Sequence, residues 1–430
     1  MHYFSTNQLS PNASFREAVL AGQPADKGLY FPSEIPTLRP EFLRDLADLD
    51  NATIAFEIIR PFVSGEIPDD ELLRICSETV SFAFPLVRIT DSICVLELFH
   101  GPTLAFKDVG ARFMSRCLKY FVQDRSEKTF VIVATSGDTG GAVAASFHGL
   151  ADVEVIILFP KGGVSVVQEL QLTTLGGNVT TLEVHGTFDD CQTLAKAALA
   201  DPDLQSKANL TSANSINPAR WLSQQFYYAF ALKQWEYEPP VFSVPSGNFG
   251  NLAAGLLANA SGLPADRFIA ACNANDVIPR YLASGRYEPR SSIPTLSSAM
   301  DVGAPSNWVR VVEILGSNVE SMNALLSAVR ISDKETADTM REVFAETGYT
   351  FDPHGAVAYR ALEDKLNAGG GGRGILLETA HPAKFDSVAN ILGLAPEQPP
   401  SIKELFNKER SSVTINNDYA EVREIISSKV

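Results

Sequence analysis

From Cys94 onward, short apolar runs alternate with amphipathic stretches, and this alternation constrains the fold more than any other feature of the chain. A strand-like ICVLELF leads into HGPTLAFKD. In the stretch that follows, Phe106, Val109, Phe113, Cys117 and Tyr120 recur at three- and four-residue spacing, the period of one helix face. Strands are expected over 129–134, 153–159 and 178–184, with helices over 141–147, 164–175 and 188–199. After Asn214 the pattern resumes with a long helix over 218–235, a strand over 241–244, a helix over 252–260 and a strand over 268–273. Later helices are expected over 308–315, 333–347 and 355–366, and a last strand over 374–378. Short apolar strands separated by such helices build parallel sheets covered on both faces. The expected class is therefore α/β, with two doubly wound parallel-sheet domains flanking a cleft.

The first ninety or so residues read differently. Helix-like stretches near 14–21, 39–49 and 70–80 alternate with proline-containing loops, and NATIAFEIIRPF over 51–62 is expected to stop at Pro61. The predicted division is a mainly helical N-terminal accessory domain over 1–93, a small α/β domain over 94–212 and a large α/β cofactor domain over 213–430. A length of 430 residues agrees with two or three cores. The glycine run over 369–372 reads as a surface loop.

Composition narrows the function. The net charge of −16 opposes binding to nucleic acid or to an anionic membrane, so an anionic ligand needs local donors to overcome the global field. No apolar run approaches the roughly 18 residues of a membrane helix. The start, MHYFSTNQLSPNASF, has no basic end followed by an apolar stretch, so a cytoplasmic enzyme is expected. The five cysteines are scattered and the histidines dispersed, which predicts neither a disulfide framework nor a metal site.

Four segments carry candidate chemistry. In HGPTLAFKD, Lys107 follows Leu104, Ala105 and Phe106, and a partly desolvated amine is a nucleophile; a surface lysine beside Asp108 at a helix start is the competing reading. TSGDTGG over 135–141 sits between strand and helix, with Thr135, Ser136 and Thr139 as donors for an anion, or else it is a tight turn capped by Asp138. PSGNFGN over 245–251 is a second turn of the same kind. In ANSINPAR over 213–220, Pro218 suits a first helical turn and Arg220 lies one turn in, placed to fork onto a phosphate or simply to face solvent. Neither glycine-rich turn has the dinucleotide G-x-G-x-x-G form with its later acidic residue, nor the P-loop form, and no H-E-x-x-H or G-x-S-x-G occurs.

Together with GLYFP over 28–32 and ETAHPAKF over 378–385, these segments resemble the threonine synthase family, a branch of the fold-type II (tryptophan synthase β-like) pyridoxal-phosphate enzymes. The resemblance spans nearly the whole chain, with the motifs in the family's order. It implies pyridoxal 5'-phosphate as cofactor and O-phospho-L-homoserine as a small-molecule substrate, in a monomer or homodimer. Lys107 then matches the lysine that holds the cofactor, and Ser246, Gly247, Asn248, Phe249, Gly250 and Asn251 match the loop around its phosphate. Thr379 matches the hydroxyl that meets the pyridine nitrogen. Thr135, Ser136 and Thr139 match the loop for the substrate carboxylate, and Asn214, Ser215 and Arg220 the groups that hold the substrate phosphate. Asp138 departs from the pattern, because many fold-type II relatives carry Asn there, and an anion would repel the cofactor's ring oxygen. Two other readings are a serine or threonine dehydratase-like β-eliminating enzyme, which needs no second phosphate site, and a non-catalytic homologue.

Overall fold

The computed structural model describes residues 1–63, 65–123, 127–369 and 372–430. Among these, strands β1 (Tyr3–Ser5) and β2 (Tyr30–Pro32) form a small antiparallel ribbon. The others are β3 (Leu86–Arg88), β4 (Ile93–Glu97), β5 (Thr129–Ala134), β6 (Val153–Pro160), β7 (Val179–His185), β8 (Asn209–Ser212), β9 (Val241–Pro245), β10 (Arg267–Cys272), β11 (Leu326–Arg330), β12 (Gly374–Glu378) and β13 (Val413–Asn416). They make a six-stranded sheet of order β11-β10-β9-β12-β4-β3 and a five-stranded sheet of order β13-β7-β6-β5-β8. All pairs are parallel in the smaller sheet, and only β3–β4 is antiparallel in the larger one. Every residue of β5 and of β12 is buried, as a sheet covered by helices on both faces requires. Among the described residues no helix is long and apolar enough to cross a membrane.

Sheet membership departs from the expected boundaries at 94 and 213. β4 pairs with β12, Leu96 opposite Leu377, and so belongs to the larger sheet, while β13 near the C-terminus joins the smaller one beside β7. Hydrophobic alternation marks where strands lie but not which distant strand each will pair with. The N-terminal region likewise packs into the main core rather than forming its own: Tyr3, Phe15, Ile58 and Trp221 belong to one continuous apolar cluster that extends to Leu377. Tyr3 donates to the carbonyl of Phe62 at 2.8 Å, and Asn217 donates to that of Val19 at 2.9 Å.

Three helices differ from expectation. Asn51–Val63 continues through Pro61, which forgoes the bond an amide there would donate to the Glu57 carbonyl, and the burial of Ile58, Ile59, Phe62 and Val63 on either side holds the last turn in place. The single helix expected over 218–235 is broken into Pro218–Leu222, a 3₁₀ turn Ser223–Gln225 and Phe226–Leu232. Gln224 and Gln225 donate from their side chains to the carbonyls of Arg220 and Leu222, which competes with the regular ladder at the break. The helix expected over 355–366 runs from Pro353 to Gly369. Of the glycine run, Gly370 and Gly371 lie outside the described residues.

Candidate active site

The carboxyl ends of β5, β9 and β12 open on one cavity of about 860 Å³, the position where parallel α/β sheets gather ligands. Every expected site residue except Ser246 lines it: Lys107, Thr135, Ser136, Thr139, Asn214, Ser215, Arg220, Gly247, Asn248, Phe249, Gly250, Asn251 and Thr379. Ser246 is buried beneath the turn, and its hydroxyl donates back to the carbonyl of Val244 at 2.8 Å. Its contribution is to brace the strand end.

Lys107 is the first residue of the helix Lys107–Val122, and its segment is stitched to that of Thr379. The Phe106 amide donates to the Thr379 carbonyl at 2.8 Å, and the His381 amide to the Leu104 carbonyl at 3.0 Å, around a bridge between Ala105 and Ala380. Leu104 adopts φ +57°, a left-handed conformation rare for a leucine, which turns the chain so that the lysine enters the cavity. Tyr227 donates to the Phe106 carbonyl from below. The Lys107 Nζ lies 5.3 Å from the Phe106 ring centroid and 3.7 Å from Asp138 Oδ2. Burial lowers the pKa of this amine; Asp138 works the other way, and Lys384 and Arg220 add to the lowering.

The turn after β9 is shaped for an anion. A Cβ on Gly247 would stand 2.5 Å from the Cα of Met300, so only glycine lets the backbone lie there. Phe249 takes φ +62° at the N-cap of the helix Gly250–Ala260 and is held by Trp308 edge-on at 5.4 Å. The Asn251 side-chain nitrogen is buried without a partner among the described residues, while Tyr228 donates to its side-chain oxygen at 3.2 Å. A helix N-terminus, a glycine that admits close approach and an orphaned donor suit a bound phosphate. With Lys107 facing the same space and Thr379 across it, the residues present fit pyridoxal phosphate.

Two further polar groups line the cavity, Ser215 against this turn and Arg220 beside Gly110 of the Lys107 helix. Ser215 Oγ accepts from Asn248 at 2.9 Å and from Asn307 at 3.0 Å, which leaves its own O–H to donate. Asn214 donates to the carbonyl of Ala134 at 3.0 Å. Arg220 is 3% exposed, and its Nε and Nη1 have no partner among the described residues. Burial pushes its guanidinium down to about 10, leaving it charged at neutral pH. A buried cation with unpaired donors in a cavity wall is the complement of an anion not present in the bare chain.

Thr135 spends its hydroxyl on the turn itself, accepting from the amides of Gly137 and Gly140 at 2.9 and 2.8 Å, whereas Ser136 and Thr139 line the cavity. Asp138 does not stand there as a lone anion. Its Oδ1 lies 2.7 Å from the Nζ of Lys384 and accepts from Gln168 at 2.9 Å. Burial alone would raise its pKa; the ammonium of Lys384 and then that of Lys107 outweigh it and hold the carboxyl ionised. Lys384 sits within the ETAHPAKF segment but was given no role by sequence, because a lysine at a turn ordinarily reads as solvent-facing. His354 and Met300 in the cavity wall, and Arg310 behind it, also carry no motif. His354 donates from Nδ1 to Asp352 Oδ1 at 2.7 Å, and its Nε2 accepts from the Ala299 amide at 3.2 Å.

Known proteins resemble this chain over its whole length. Residues 85–377 match the family described as pyridoxal-phosphate dependent enzyme, residues 2–80 the threonine synthase N terminus, and residues 355–426 the threonine synthase C-terminal region. A threonine synthase from Serratia marcescens is 43% identical over 430 residues, covering 99% of this chain and 99% of its own. The crystal structure of threonine synthase from Escherichia coli superposes with a TM-score of 0.94 at 42% identity over 100% of both chains. The pyridoxal-phosphate-bound threonine synthase of Brucella melitensis does so with 0.93 at 36% identity, over 100% of this chain and 99% of that one. The chain belongs to the threonine synthase family of pyridoxal-phosphate-dependent enzymes.

Proposed function

We propose that this cavity converts O-phospho-L-homoserine and water to L-threonine and phosphate. The observation that carries the reading is that the cavity holding the buried amine of Lys107 is lined both by the turn of Gly247–Asn251, with Ser215 against it, and by Arg220, whose buried Nε and Nη1 have no partner among the described residues. A cofactor phosphate and a substrate phosphate need two anion-receptive places, whereas a dehydratase-like β-elimination needs only one.

Pyridoxal phosphate, when bound, supplies an electron sink that acidifies the substrate's Cα and Cβ protons and allows a γ-leaving group to depart. The chain's own residues do the rest. The turn over 247–251 holds the cofactor phosphate, and Thr379 offers a neutral hydroxyl to the ring nitrogen. Ser136 and Thr139 orient the substrate carboxylate in the loop that Thr135 shapes. Lys107 would hold the cofactor through Nζ, and the same Nζ, when free, would act as general base on the Cα proton, return a proton to Cα and carry the Cβ proton to Cγ. One amine serves all three carbons because they lie within a short arc. Arg220 and the Ser215 hydroxyl draw charge onto the departing phosphate. Water supplies hydroxide to Cβ, and its remaining proton leaves with phosphate.

The test is phosphate release from O-phospho-L-homoserine with added pyridoxal phosphate, threonine being quantified in the same samples. Equal yields of the two are expected, with turnover abolished by Lys107→Ala. Phosphate accompanied by 2-oxobutyrate, or no phosphate at all, would overturn the reading.

A further inference from the structure

Two lysines converge on one buried carboxylate, and they are not equally placed. Lys384 Nζ lies 2.7 Å from Asp138 Oδ1, within hydrogen-bond range, while Lys107 Nζ stands off at 3.7 Å from Oδ2. Lys384 is fully enclosed, and a second anchor fixes it: Nζ donates to the carbonyl of Thr103 at 2.8 Å. Gln168 holds Asp138 from the same side, and the space for it exists because Gly137 has no Cβ, which would fall 2.3 Å from the Gln168 side chain. Lys384 closes the 3₁₀ turn Pro382–Lys384, a few residues past Thr379, so the segment leaving β12 carries both the ring-facing hydroxyl and this cation. Nothing in the proposed reaction uses Lys384, yet burying an ammonium demands a reason.

We infer that Lys384 is a positioning residue for Lys107: by occupying Asp138 it keeps that carboxylate from locking the Lys107 amine in a salt bridge, leaving the amine free to bind cofactor and move protons. In a low-dielectric pocket an unshared carboxylate at this distance would stabilise the charged amine strongly. Lys384 neutralises the carboxylate and adds its own repulsion, and both effects favour the neutral amine. The same arrangement resolves the departure at Asp138, since a cofactor ring oxygen brought to this corner meets an ion pair instead of a bare anion. The inference rests on the proposed role of Lys107.

Other charged groups also surround this corner. Asp108 and His381 lie near Lys384, Arg220 lies near Lys107, and His354 lines the same cavity. Across the cavity stand Lys161, Asp189 and Lys196, with Arg290 and Asp301 in the covering loop. All are unchanged in the variants used here, so a difference between variants reports Asp138 and Lys384.

The experiment is a pH titration of the absorbance of the Lys107-linked cofactor in the full-length enzyme loaded with pyridoxal phosphate. Lys384→Met should raise the midpoint by about one pH unit or more. Asp138→Asn should lower it, and the double variant should fall between the two singles. A purely structural role would not move the midpoint to opposite sides. Singles that shift in the same direction, or not at all, would overturn the inference. Should Lys384→Met fail to fold around its unpaired carboxylate, Asp138→Asn and the double variant remain decisive: a midpoint that fails to fall in Asp138→Asn is enough to reject it. A parent enzyme that forms no Lys107-linked chromophore, or makes no threonine, would instead defeat the functional reading itself.

Discussion

Arg310 Nη1 donates to the carbonyl of Ser215 at 2.8 Å, so a fully buried guanidinium sets the loop that presents the Ser215 hydroxyl to the cavity. The same side chain donates to the carbonyls of Ile216 at 2.8 Å and Tyr30 at 3.2 Å and to Asn307 Oδ1 at 2.7 Å, and it lies 4.2 Å above the ring of Trp221. No carboxylate pairs with it among the described residues. Neutral carbonyls and an aromatic face share its charge, and the carbonyls come from the N-terminal ribbon and from the loop of Ser215 and Ile216 at once. Lysine has a charge but not a planar fork, so it can reach only part of this set. Arg310→Lys should raise KM for O-phospho-L-homoserine several-fold more than it lowers kcat, and destabilise the fold by about 2–4 kcal/mol. Steady-state kinetics alongside urea unfolding would check both; a stability loss with KM unmoved would leave Arg310 a structural residue only.

Arg220 presents the opposite balance, a charge that the folded chain does not satisfy. Its Nε and Nη1 are buried and unpaired among the described residues, and such groups cost folding free energy that is recovered only when a ligand arrives. Arg220→Met keeps most of the volume and removes the charge. The variant should unfold at the same or a higher temperature, by the equivalent of about 1–2 kcal/mol. Its kcat/KM on O-phospho-L-homoserine should fall about 10²- to 10³-fold. Calorimetry and a coupled phosphate assay separate the two effects. Loss of stability together with retained turnover would remove Arg220 from the phosphate site.

How much of this site could be read beforehand follows from the kind of residue involved. Thr135, Gly247 and Thr379 lie at strand-to-helix turns, where glycine and hydroxyl residues interrupt an apolar pattern and so announce themselves. Lys384, Gln168 and Arg310 act from inside the fold, through partners 30, 280 and 281 positions away in the chain, and nothing local distinguishes them from surface residues. Ser246 illustrates the reverse error: it stands in the right motif, but a strand end fixes which way it points. The fold shows the same split. Strands β5, β9 and β12 were legible from their apolar runs, while the edge strands β8, β11 and β13, short and less apolar, were not.

Gly247 offers a direct test of the cradle. Alanine there would drive a methyl group to within 2.5 Å of the Met300 Cα and 2.9 Å of its carbonyl carbon, and backbone atoms cannot step aside as a side-chain tip can. The turn or the 298–300 segment must shift, and the amides that face the anion shift with it. Gly247→Ala should weaken retention of pyridoxal phosphate at least about tenfold, as expected when a preorganised donor set is displaced, with the apo fold little changed. Equilibrium dialysis against free cofactor measures this; unchanged retention would mean that the turn does not hold the phosphate.

His381 gives the site a dependence on pH. Burial, and next the neighbouring His100, hold its imidazole down to about 4 from an ordinary 6.5, outweighing the attraction of Glu97. The geometry gives the reason the neutral form is needed: Nδ1 accepts from the amide of Ala383 at 3.1 Å, capping the turn that carries Lys384, and a protonated Nδ1 cannot accept. Between pH 6.5 and 4 the unfolded chain binds a proton that the folded chain refuses. Stability from this group is therefore complete above 6.5 and is lost as pH falls towards 4. Because the ring is partly exposed and screened, the loss is on the order of 1–2 kcal/mol. Asparagine at this position can still cap through its side-chain oxygen but does not titrate. His381→Asn should thus match the parent in urea unfolding at pH 7.5 and be the more stable of the two at pH 5. Equal losses in both proteins over that interval would show that the acid sensitivity lies elsewhere, and that the turn beneath Lys384 keeps its shape whatever the charge on His381.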